Sequence, residues 1–162
     1  MKKQGASIWF NEGVTPEQLN ALSKNNMGEH LGIQFTRVGA DFLQATMPVD
    51  HRTIQPYGLL HGGASLVLGE TLGSVASAIA VDREKFRCVG VEINASHISS
   101  ARSGLVTGSC RPVRLGRTLQ VWQFEVRDEA EQLLSTGRLT VAIVPKRHRL
   151  NQAYRLASAP CE

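Results

Sequence analysis

Residues 62–81, GGASLVLGETLGSVASAIAV, decide the fold. Alanine and leucine dominate this stretch, aromatic residues are absent from it, and it is longer than an ordinary strand, so it predicts a helix. A helix that is apolar nearly all round is expected to lie buried at the centre of a globular domain. The alternative is a membrane span, and Gly69 and Gly73 form the GxxxG pair found in such helices. A central glutamate, four glycines and four Ser/Thr residues argue against insertion.

Four long strands are predicted on the C-terminal side of this helix. They are runs rich in Val, Ile, Thr, Phe and Trp at residues 88–99, 104–113, 117–127 and 132–144. Because only short breaks separate these runs, they are expected to form an antiparallel meander.

The N-terminal side predicts a short helix and a hairpin. The sequence TPEQ at residues 15–18 has a good N-cap, a proline at N1 and a capping-box glutamine, so a helix is expected from there to about residues 25–26. Segments 32–38 and 42–49 predict a hairpin, and residues 50–60 predict an ordered loop. One long helix against an antiparallel sheet of five or six strands makes an α+β fold.

Composition and cysteine content limit the class of protein. The 162 residues suffice for one domain, and 42% hydrophobic with 20% charged residues is a globular composition. Cys88, Cys110 and Cys161 have no metal-ligand spacing and their number is odd, so neither a disulfide framework nor a zinc site is expected. The N-terminus lacks an apolar run of signal-peptide length, and we therefore expect a cytoplasmic protein.

The net charge of +4 is unevenly distributed. Residues 1–145 carry a net charge of +1 and residues 146–162 one of +3, so most of the excess lies in a C-terminal tail that is expected to be flexible. No carboxylate occurs between Glu92 and Glu125, a segment that contains Arg102, Arg111, Arg114 and Arg117. A modest basic cluster suits a small polyanion such as a nucleotide rather than duplex nucleic acid. Scattered, solvated arginines are the alternative.

Glu70 is the strongest catalytic candidate. It is the only ionisable residue between His61 and Asp82, and it lies in the middle of the predicted helix. A carboxylate in an apolar setting suits a general base or a nucleophile. Ser74, one turn further along, shares its helix face and could hold a water molecule or an acyl group beside it. The structural alternative is a buried glutamate that neighbouring donors satisfy.

His61, Gly62 and Gly63 stand where the loop becomes the helix. The first N–H groups of a helix have no partner within it, and glycines let a substrate carbonyl approach them, so this HGG motif suits an oxyanion hole. Glycines that only ease a turn are the alternative. Gln55, in the preceding loop, could donate to a carbonyl or could be an exposed loop residue.

The other histidines do not suggest a catalytic or metal centre. His97 lies in a predicted strand, where it could be a polar core residue, and His30, His51 and His148 are expected at the surface. A nucleophile elbow of the G-x-S-x-G type is absent from the sequence, as are P-loop and dinucleotide fingerprints.

Four stretches carry a family resemblance. They are residues 51–63 (HRTIQPYGLLHGG), 66–74 (LVLGETLGS), 89–97 (VGVEINASH) and 120–123 (QVWQ). Together they resemble the hotdog-fold acyl-CoA thioesterases of the type that includes 4-hydroxybenzoyl-CoA and 1,4-dihydroxy-2-naphthoyl-CoA thioesterases. The resemblance covers roughly residues 30–145, which leaves an N-terminal segment at 1–29 with the short helix and the basic tail at 146–162.

The resemblance implies a fold, an assembly and an activity. The fold is a hotdog, a long helix wrapped by an antiparallel sheet, and two chains form a homodimer that usually pairs again into a homotetramer. The sequence itself also favours an oligomer, because small residues at Gly69, Gly73 and Ala76 permit close approach by another backbone, expected from a second subunit. The substrate is an acyl-CoA, with coenzyme A as part of the substrate and no separate cofactor, metal, nucleic acid or membrane partner.

The resemblance also implies roles for individual residues. Glu70 is expected to be the base or nucleophile and Gly62 the oxyanion-hole donor, while His61 and Gln55 orient the thioester and Ser74 positions water or the acyl group. Gln55 and Gly62 are expected from one subunit and Glu70 from its partner. Residues expected to bind the substrate and its CoA portion are Gly63, Val89, Gly90, His97, Ile98, Ser99, Ser100, Arg114, Leu115, Gly116, Arg117, Thr118 and Leu119. Ser99 departs from the basic residue that relatives often have there.

The expected activity is hydrolysis of an aromatic acyl-CoA, such as the 1,4-dihydroxy-2-naphthoyl ester on the route to menaquinone or a hydroxybenzoyl ester. A broad housekeeping thioesterase is a second hypothesis. A non-catalytic acyl-CoA-binding protein and a dehydratase or hydratase that uses His61 with Glu70 are further alternatives.

Overall fold

One long helix packs against a six-stranded antiparallel sheet, as the sequence predicts. The computed structural model describes residues 7–146. The helices are Pro16–Leu22 (α1), Met27–His30 (α2) and Gly62–Ile79 (α3). The strands are Gln34–Val38 (β1), Leu43–Pro48 (β2), Phe86–His97 (β3), Leu105–Leu115 (β4), Leu119–Arg127 (β5) and Leu133–Pro145 (β6). Their order in the sheet is β1-β2-β4-β5-β6-β3.

The predicted four-strand meander is wrong at its first step. Strands β4, β5 and β6 follow one another, but β3 pairs with β6 at the far edge, from Phe86 opposite Pro145 to His97 opposite Ser135. Hairpin loops usually take two to five residues. The connection of residues 98–104 is longer, so it can carry the chain across the end of the sheet to β4.

Strand β3 contains a bulge that matters for the site. Gly90 pairs with Val141 and Glu92 with Thr140, so Val91 is the extra residue. Successive residues of a regular strand face opposite sides of the sheet. Because Val91 is unpaired, Gly90 and His97 both lie against α3 although seven positions separate them.

The first helix is shorter than predicted. It ends at Leu22, with Ser23 as C-cap, and Asn25 adopts a left-handed backbone at φ 58°. Asn26 then caps α2, which the sequence analysis missed, by accepting a hydrogen bond from the N–H of Glu29 at 3.2 Å. Asparagine suits both positions, since it tolerates the left-handed region and caps helices well.

The core lies between α3 and the concave face of the sheet. Leu68, Leu72 and Ala76 of α3 are fully buried there. A Cβ atom on Gly69 would lie 2.7 Å from the ring of Phe124, and one on Gly73 would lie 2.5 Å from Leu139 Cδ2. These small residues therefore let the sheet of the same chain pack closely against α3. The expectation that they face another subunit is wrong.

The helix α3 is central, as predicted, but it is not buried on every side. Val67, Glu70, Thr71, Ser74 and Ala78 are only half-buried, so one stripe of the helix is uncovered in this chain. The sheet has one concave face and can cover one side of a helix. None of the helices in residues 7–146 has the length and hydropathy of a membrane span.

The N-terminal segment packs into the same core. Trp9 is 8% exposed, its indole stacks on Trp122 with ring centroids 6.2 Å apart, and its Nε1 donates to the carbonyl of Gly39 at 2.7 Å. Leu19 of α1 is also buried. The predicted flexible tail, except for Lys146, lies outside the described residues, as do residues 1–6.

The two edges of the sheet differ. At the β1 edge, the side-chain amide of Asn20 donates to the carbonyl of Phe35 at 3.0 Å and accepts from its N–H at 2.7 Å, as a neighbouring strand would. Strand β3 has no such cover among residues 7–146, and it exposes Val89 and Val91. A long uncovered edge with exposed apolar residues is a surface that pairs with another strand.

Candidate active site

The start of α3 holds one free N–H donor. His61 is the N-cap, and its Nδ1 accepts a hydrogen bond from the N–H of Gly63 at 2.8 Å. The ring nitrogen that accepts carries no proton, so Nε2 of a neutral His61 carries it and can donate. In residues 7–146 no acceptor takes the N–H of Gly62. Gly62, rather than Gly63, is therefore the donor available to a substrate oxygen.

His97 lies against Gly62. A Cβ atom on Gly62 would be only 2.6 Å from His97 Nε2, so the imidazole can occupy its position only because residue 62 is glycine. The side chain is exposed, and the interpretation of His97 as a core residue is wrong. It lies at the last position of β3, where the sheet no longer covers it.

Glu70 lies on the open stripe of α3, held from two sides. Ser74, one turn along the helix, donates its hydroxyl to Glu70 Oε1 at 3.0 Å. The same carboxylate oxygen would lie 2.8 Å from a Cβ atom on Gly90, so it rests against the bare backbone of β3. Glu70 is half-buried rather than enclosed, and it can be reached from solvent in this chain.

The donor and the carboxylate are far apart within one chain. Gly62 and Glu70 are eight residues apart on α3, which corresponds to about 12 Å along the helix axis. An oxyanion-hole donor must lie about 3 Å from the oxygen it stabilises. One thioester carbonyl cannot contact both groups of the same chain.

The loop of residues 50–60 is ordered, as predicted, and holds Gln55 close to the start of α3. The side-chain oxygen of Gln55 accepts the N–H of Tyr57, which leaves its amide NH₂ as a donor. The N–H of His61 donates to the carbonyl of Thr53 at 2.8 Å and ties this loop to the helix. Gln55 is half-buried, so the interpretation of it as an exposed loop residue is wrong.

The segments expected to bind CoA divide into two groups. Leu119 pairs with Ala142, which pairs with Val89, so residues 114–119 share one end of the sheet with Val89 and Gly90. Residues 97–100 lie at the other end, beside Ser135. Seven strand residues correspond to about 23 Å. A single chain therefore does not bring these two groups together.

The four arginines of the acid-free segment do not form one cluster in this chain, so the predicted cluster of four is wrong and the alternative of scattered arginines holds for Arg102 and Arg111. Arg111 pairs with Asp41 at 2.5 Å and lies over the ring of Phe42. Arg102 lies beside the backbone carbonyl of Tyr57. Arg114 and Arg117 are exposed at the turn between β4 and β5 and remain candidates for phosphate binding.

Two open grooves adjoin Glu70, and the sequence analysis found neither. The first, of about 280 Å³, is mostly apolar, and we call it the apolar groove; it is lined by Met27, Leu66, Val67, Glu70, Thr71 and Ile93. The second, of about 290 Å³, is lined by Ser74, Ala78, Val81, Arg83, Phe86, Arg87, Cys88 and Lys146, and we call it the distal groove. Both lie between α3 and segments distant in sequence, so helix periodicity alone could not reveal them. Within residues 7–146, no cluster of three His, Cys, Asp or Glu side chains could hold a metal ion.

Comparisons with known proteins agree with this geometry. Residues 57–135 match the family model described as the thioesterase superfamily. The chain is 52% identical over 137 residues to the 1,4-dihydroxy-2-naphthoyl-CoA hydrolase of Escherichia coli K12, an alignment that covers 85% of this chain and 99% of that protein. It is 50% identical over 137 residues to a proofreading thioesterase of Cronobacter sakazakii, covering 85% and 98%.

A solved structure extends the agreement to the fold. The crystal structure of a mutant thioesterase from Pseudomonas aeruginosa superposes with a TM-score of 0.84 at 47% sequence identity. The superposition covers 86% of this chain and all of the other. Sequence and fold thus point to one family over nearly the whole described chain.

Proposed function

This chain belongs to the thioesterase superfamily, has the hotdog fold and hydrolyses acyl-CoA thioesters, and on that premise we propose that its substrates are aromatic acyl-CoA esters cleaved at sites shared between two subunits. The observation that carries the proposal is the Glu70 carboxylate, held on an open helix stripe by Ser74 and Gly90. A 1,4-dihydroxy-2-naphthoyl ester, the substrate in the name of the Escherichia coli relative and a precursor of menaquinone, is one candidate. A hydroxybenzoyl ester is another.

A dimer through the uncovered β3 edge supplies what one chain lacks. Gly62 lies against His97, and Glu70 lies against Gly90. If two β3 strands pair antiparallel about a two-fold axis through Asn94, with Val91 left out of the pairing as a bulge, His97 of the partner subunit lies opposite Gly90. The free N–H of Gly62 of the partner subunit then approaches Glu70, and the separation of about 12 Å within one helix no longer matters.

The same pairing supports the predicted CoA site. Residues 98–100 of the partner subunit come opposite residues 87–89, at the end of the sheet where Arg114 and Arg117 lie. The two groups of predicted CoA residues, separated in one chain, are thereby reunited. Basic side chains at the β4–β5 turn suit the phosphates of the nucleotide. We also propose that two such dimers pair into a tetramer.

The chemistry follows from the proposed pairing. Glu70 takes a proton from a water molecule, whose oxygen attacks the thioester carbonyl carbon while the N–H of Gly62 of the partner subunit stabilises the developing oxyanion. The carbon–sulfur bond then breaks, and the thiolate of CoA takes up the proton. Direct attack by the carboxylate, followed by hydrolysis of the resulting anhydride, gives the same products. No cofactor is required in either route.

His61 and Gln55 supply neutral donors in this scheme. Nε2–H of His61 and the amide NH₂ of Gln55 can both point to a thioester without adding charge to the site. Beyond Ser74, the side chains of Ala78, Val81 and Phe86 offer an apolar wall on which an aromatic ring can lie. These contacts favour an aromatic acyl group over a broad aliphatic range.

Two experiments test the proposal. A thiol-release assay over a panel of aryl- and alkyl-CoA esters should show higher kcat/KM for aryl esters, whereas equal values across the panel would support a broad housekeeping enzyme.

The shared site is tested by co-expressing Glu70→Gln and Gly62→Val chains. About half the dimers are then mixed, each with one intact site, so roughly a quarter of wild-type activity should return. Co-expression of Glu70→Gln with Glu70→Ala is the matched control and should restore nothing. If mixed dimers form without activity, each chain carries its own site.

A further inference from the structure

The distal groove begins next to the proposed catalytic carboxylate. Its first lining residue, Ser74, is one helical turn from Glu70, about 6 Å along the axis, and Ala78 lies about 12 Å along it. Strand β3 supplies the opposite wall through Phe86 and Cys88. A group whose carbonyl carbon sits at Glu70 would extend directly into this groove.

The outer end of the distal groove is positively charged. Arg83, Arg87 and Lys146 line it, and no carboxylate of residues 7–146 does. Asp82, the acid next to Arg83 in the sequence, is engaged by Lys85 at 2.8 Å and by the N–H of Glu84 at 3.0 Å. Glu84 itself is exposed and does not line the groove. Within residues 7–146, neither Arg83 nor Arg87 forms an ion pair.

The environment of Cys88 shows that Arg83 lies close to the β3 wall of the distal groove. Burial raises the pKa of the Cys88 thiol, and the positive charge of Arg83 acts in the opposite direction. Arg83 is therefore near enough to act on a charge that forms inside the groove. Two guanidinium groups that form no ion pair with the described residues, at the mouth of a groove walled by Ala78, Val81 and Phe86, are a suitable receptor for an anion.

We propose that the distal groove receives a negatively charged substituent, such as a carboxylate, at the far end of the acyl group, and that Arg83 and Arg87 determine this specificity. The inference rests on the proposed function, because it places the thioester carbon at Glu70. The ring lies on Ala78, Val81 and Phe86, and its anionic substituent meets the guanidinium groups. The enzyme therefore favours acyl groups with a charge opposite the thioester.

Two features favour this occupant over the alternatives. Among residues 7–146, the apolar groove on the other side of Glu70 contains that carboxylate as its only charged lining residue, which would repel an anionic substituent. Ile93 of the apolar groove also lies next to the proposed two-fold axis, where a second subunit covers it. A CoA phosphate is the other anion to consider, but the long pantetheine arm separates it from the thioester, whereas the distal groove starts one turn from Glu70.

The test compares two aryl-CoA substrates that are identical at the thioester end and differ in charge at the far end of the ring. Benzoyl-CoA and 4-carboxybenzoyl-CoA are hydrolysed by wild type, by Arg83→Gln/Arg87→Gln and by Lys24→Gln/Arg37→Gln. The wild type should prefer the carboxylated ester, and the Arg83/Arg87 variant should lose roughly tenfold or more of that preference with little change for benzoyl-CoA. Lys24→Gln/Arg37→Gln, a matched loss of two exposed cations outside the groove, should keep the preference. An unchanged preference in the Arg83/Arg87 variant overturns the inference.

Two further arms separate the possible failures. The N-acetylcysteamine thioester of the carboxylated acid has no phosphate, so the Arg83/Arg87 variant should discriminate against it as well. If the Arg83/Arg87 variant instead weakens both CoA esters equally and spares the truncated thioester, the arginines bind CoA phosphate and the inference is wrong. Calorimetric affinities of the two CoA esters for Glu70→Gln and for Glu70→Gln/Arg83→Gln/Arg87→Gln measure the preference without turnover. If Glu70→Gln binds the carboxylated ester more tightly and the triple variant does not, the groove is supported. This holds even if wild type releases no thiol, since the absence of thiol release would refute only the proposed function.

Discussion

Replacement of Gly90 by alanine should disable the enzyme by displacing Glu70. The new Cβ atom would lie 2.8 Å from Glu70 Oε1, whereas ordinary contacts start at 3.4 Å, so the carboxylate must withdraw by about 0.6 Å (3.4 − 2.8). Such a shift also disturbs the hydrogen bond from Ser74, which measures 3.0 Å. Misplacement of a reacting group by about 1 Å can cost about a hundredfold in rate. We therefore expect kcat to fall about ten- to a hundredfold.

The assay is thiol release from an aryl-CoA ester, combined with thermal unfolding. KM should change little, since the carboxylate acts mainly in the transition state, and the melting temperature should hold because alanine is compatible with an extended strand. Ser96→Ala, an exposed position on the same strand, is the matched control and should retain activity. Ser74→Ala combined with Gly90→Ala should cost less than the sum of the two, because both act on one carboxylate. A folded Gly90→Ala enzyme with kcat within twofold of wild type would refute the described position of Glu70.

Three further predictions concern other parts of the molecule. Glu70→Gln should lower kcat about a thousandfold or more without loss of thermal stability, since a neutral amide can occupy the half-buried position; turnover near wild type would exclude Glu70 as base or nucleophile. Arg114→Gln/Arg117→Gln should raise KM for CoA esters at low salt much more than it lowers kcat, and this rise in KM should be smaller at high salt. An unchanged KM at low salt would show that both arginines are only solvated. Asn20→Ala should lower the free energy of unfolding by about 2 kcal/mol in urea titrations, since two hydrogen bonds to the backbone of Phe35 are lost; a loss below about 0.5 kcal/mol would mean that water replaces the amide at that edge.

Local chemistry determines what could be predicted from the sequence. The α3 helix and the β1–β2 hairpin are visible in composition and turn residues, and the structure confirms both within a few residues. Glu70 could be found because a lone ionisable residue in an apolar helix is conspicuous in sequence. Its contact with Ser74 follows from helical spacing, and the structure shows that hydrogen bond.

Features that depend on distant contacts could not be predicted in the same way. The place of β3 beside β6 depends on where the loop of residues 98–104 leads, which no local pattern encodes. The close approach of Gly90 to Glu70 and of Gly62 to His97 joins segments far apart in sequence. For the same reason no local pattern indicates that Arg83 and Arg87 meet on the rim of one groove.

The bulge at Val91 makes β3 sensitive to changes of length. Because this residue lies outside the pairing with β6, its deletion would leave Gly90 and His97 an even number of positions apart, and both would still face α3. Deletion of a single residue from 93 to 96 also leaves six positions, but the strand then keeps Gly90 and His97 on one side only by losing the bulge, which turns the residues between position 91 and the deletion to the opposite side of the sheet. Insertions and deletions that survive in natural variants of this strand should therefore concentrate at position 91, a pattern that alignments of related sequences can reveal before any enzyme is assayed.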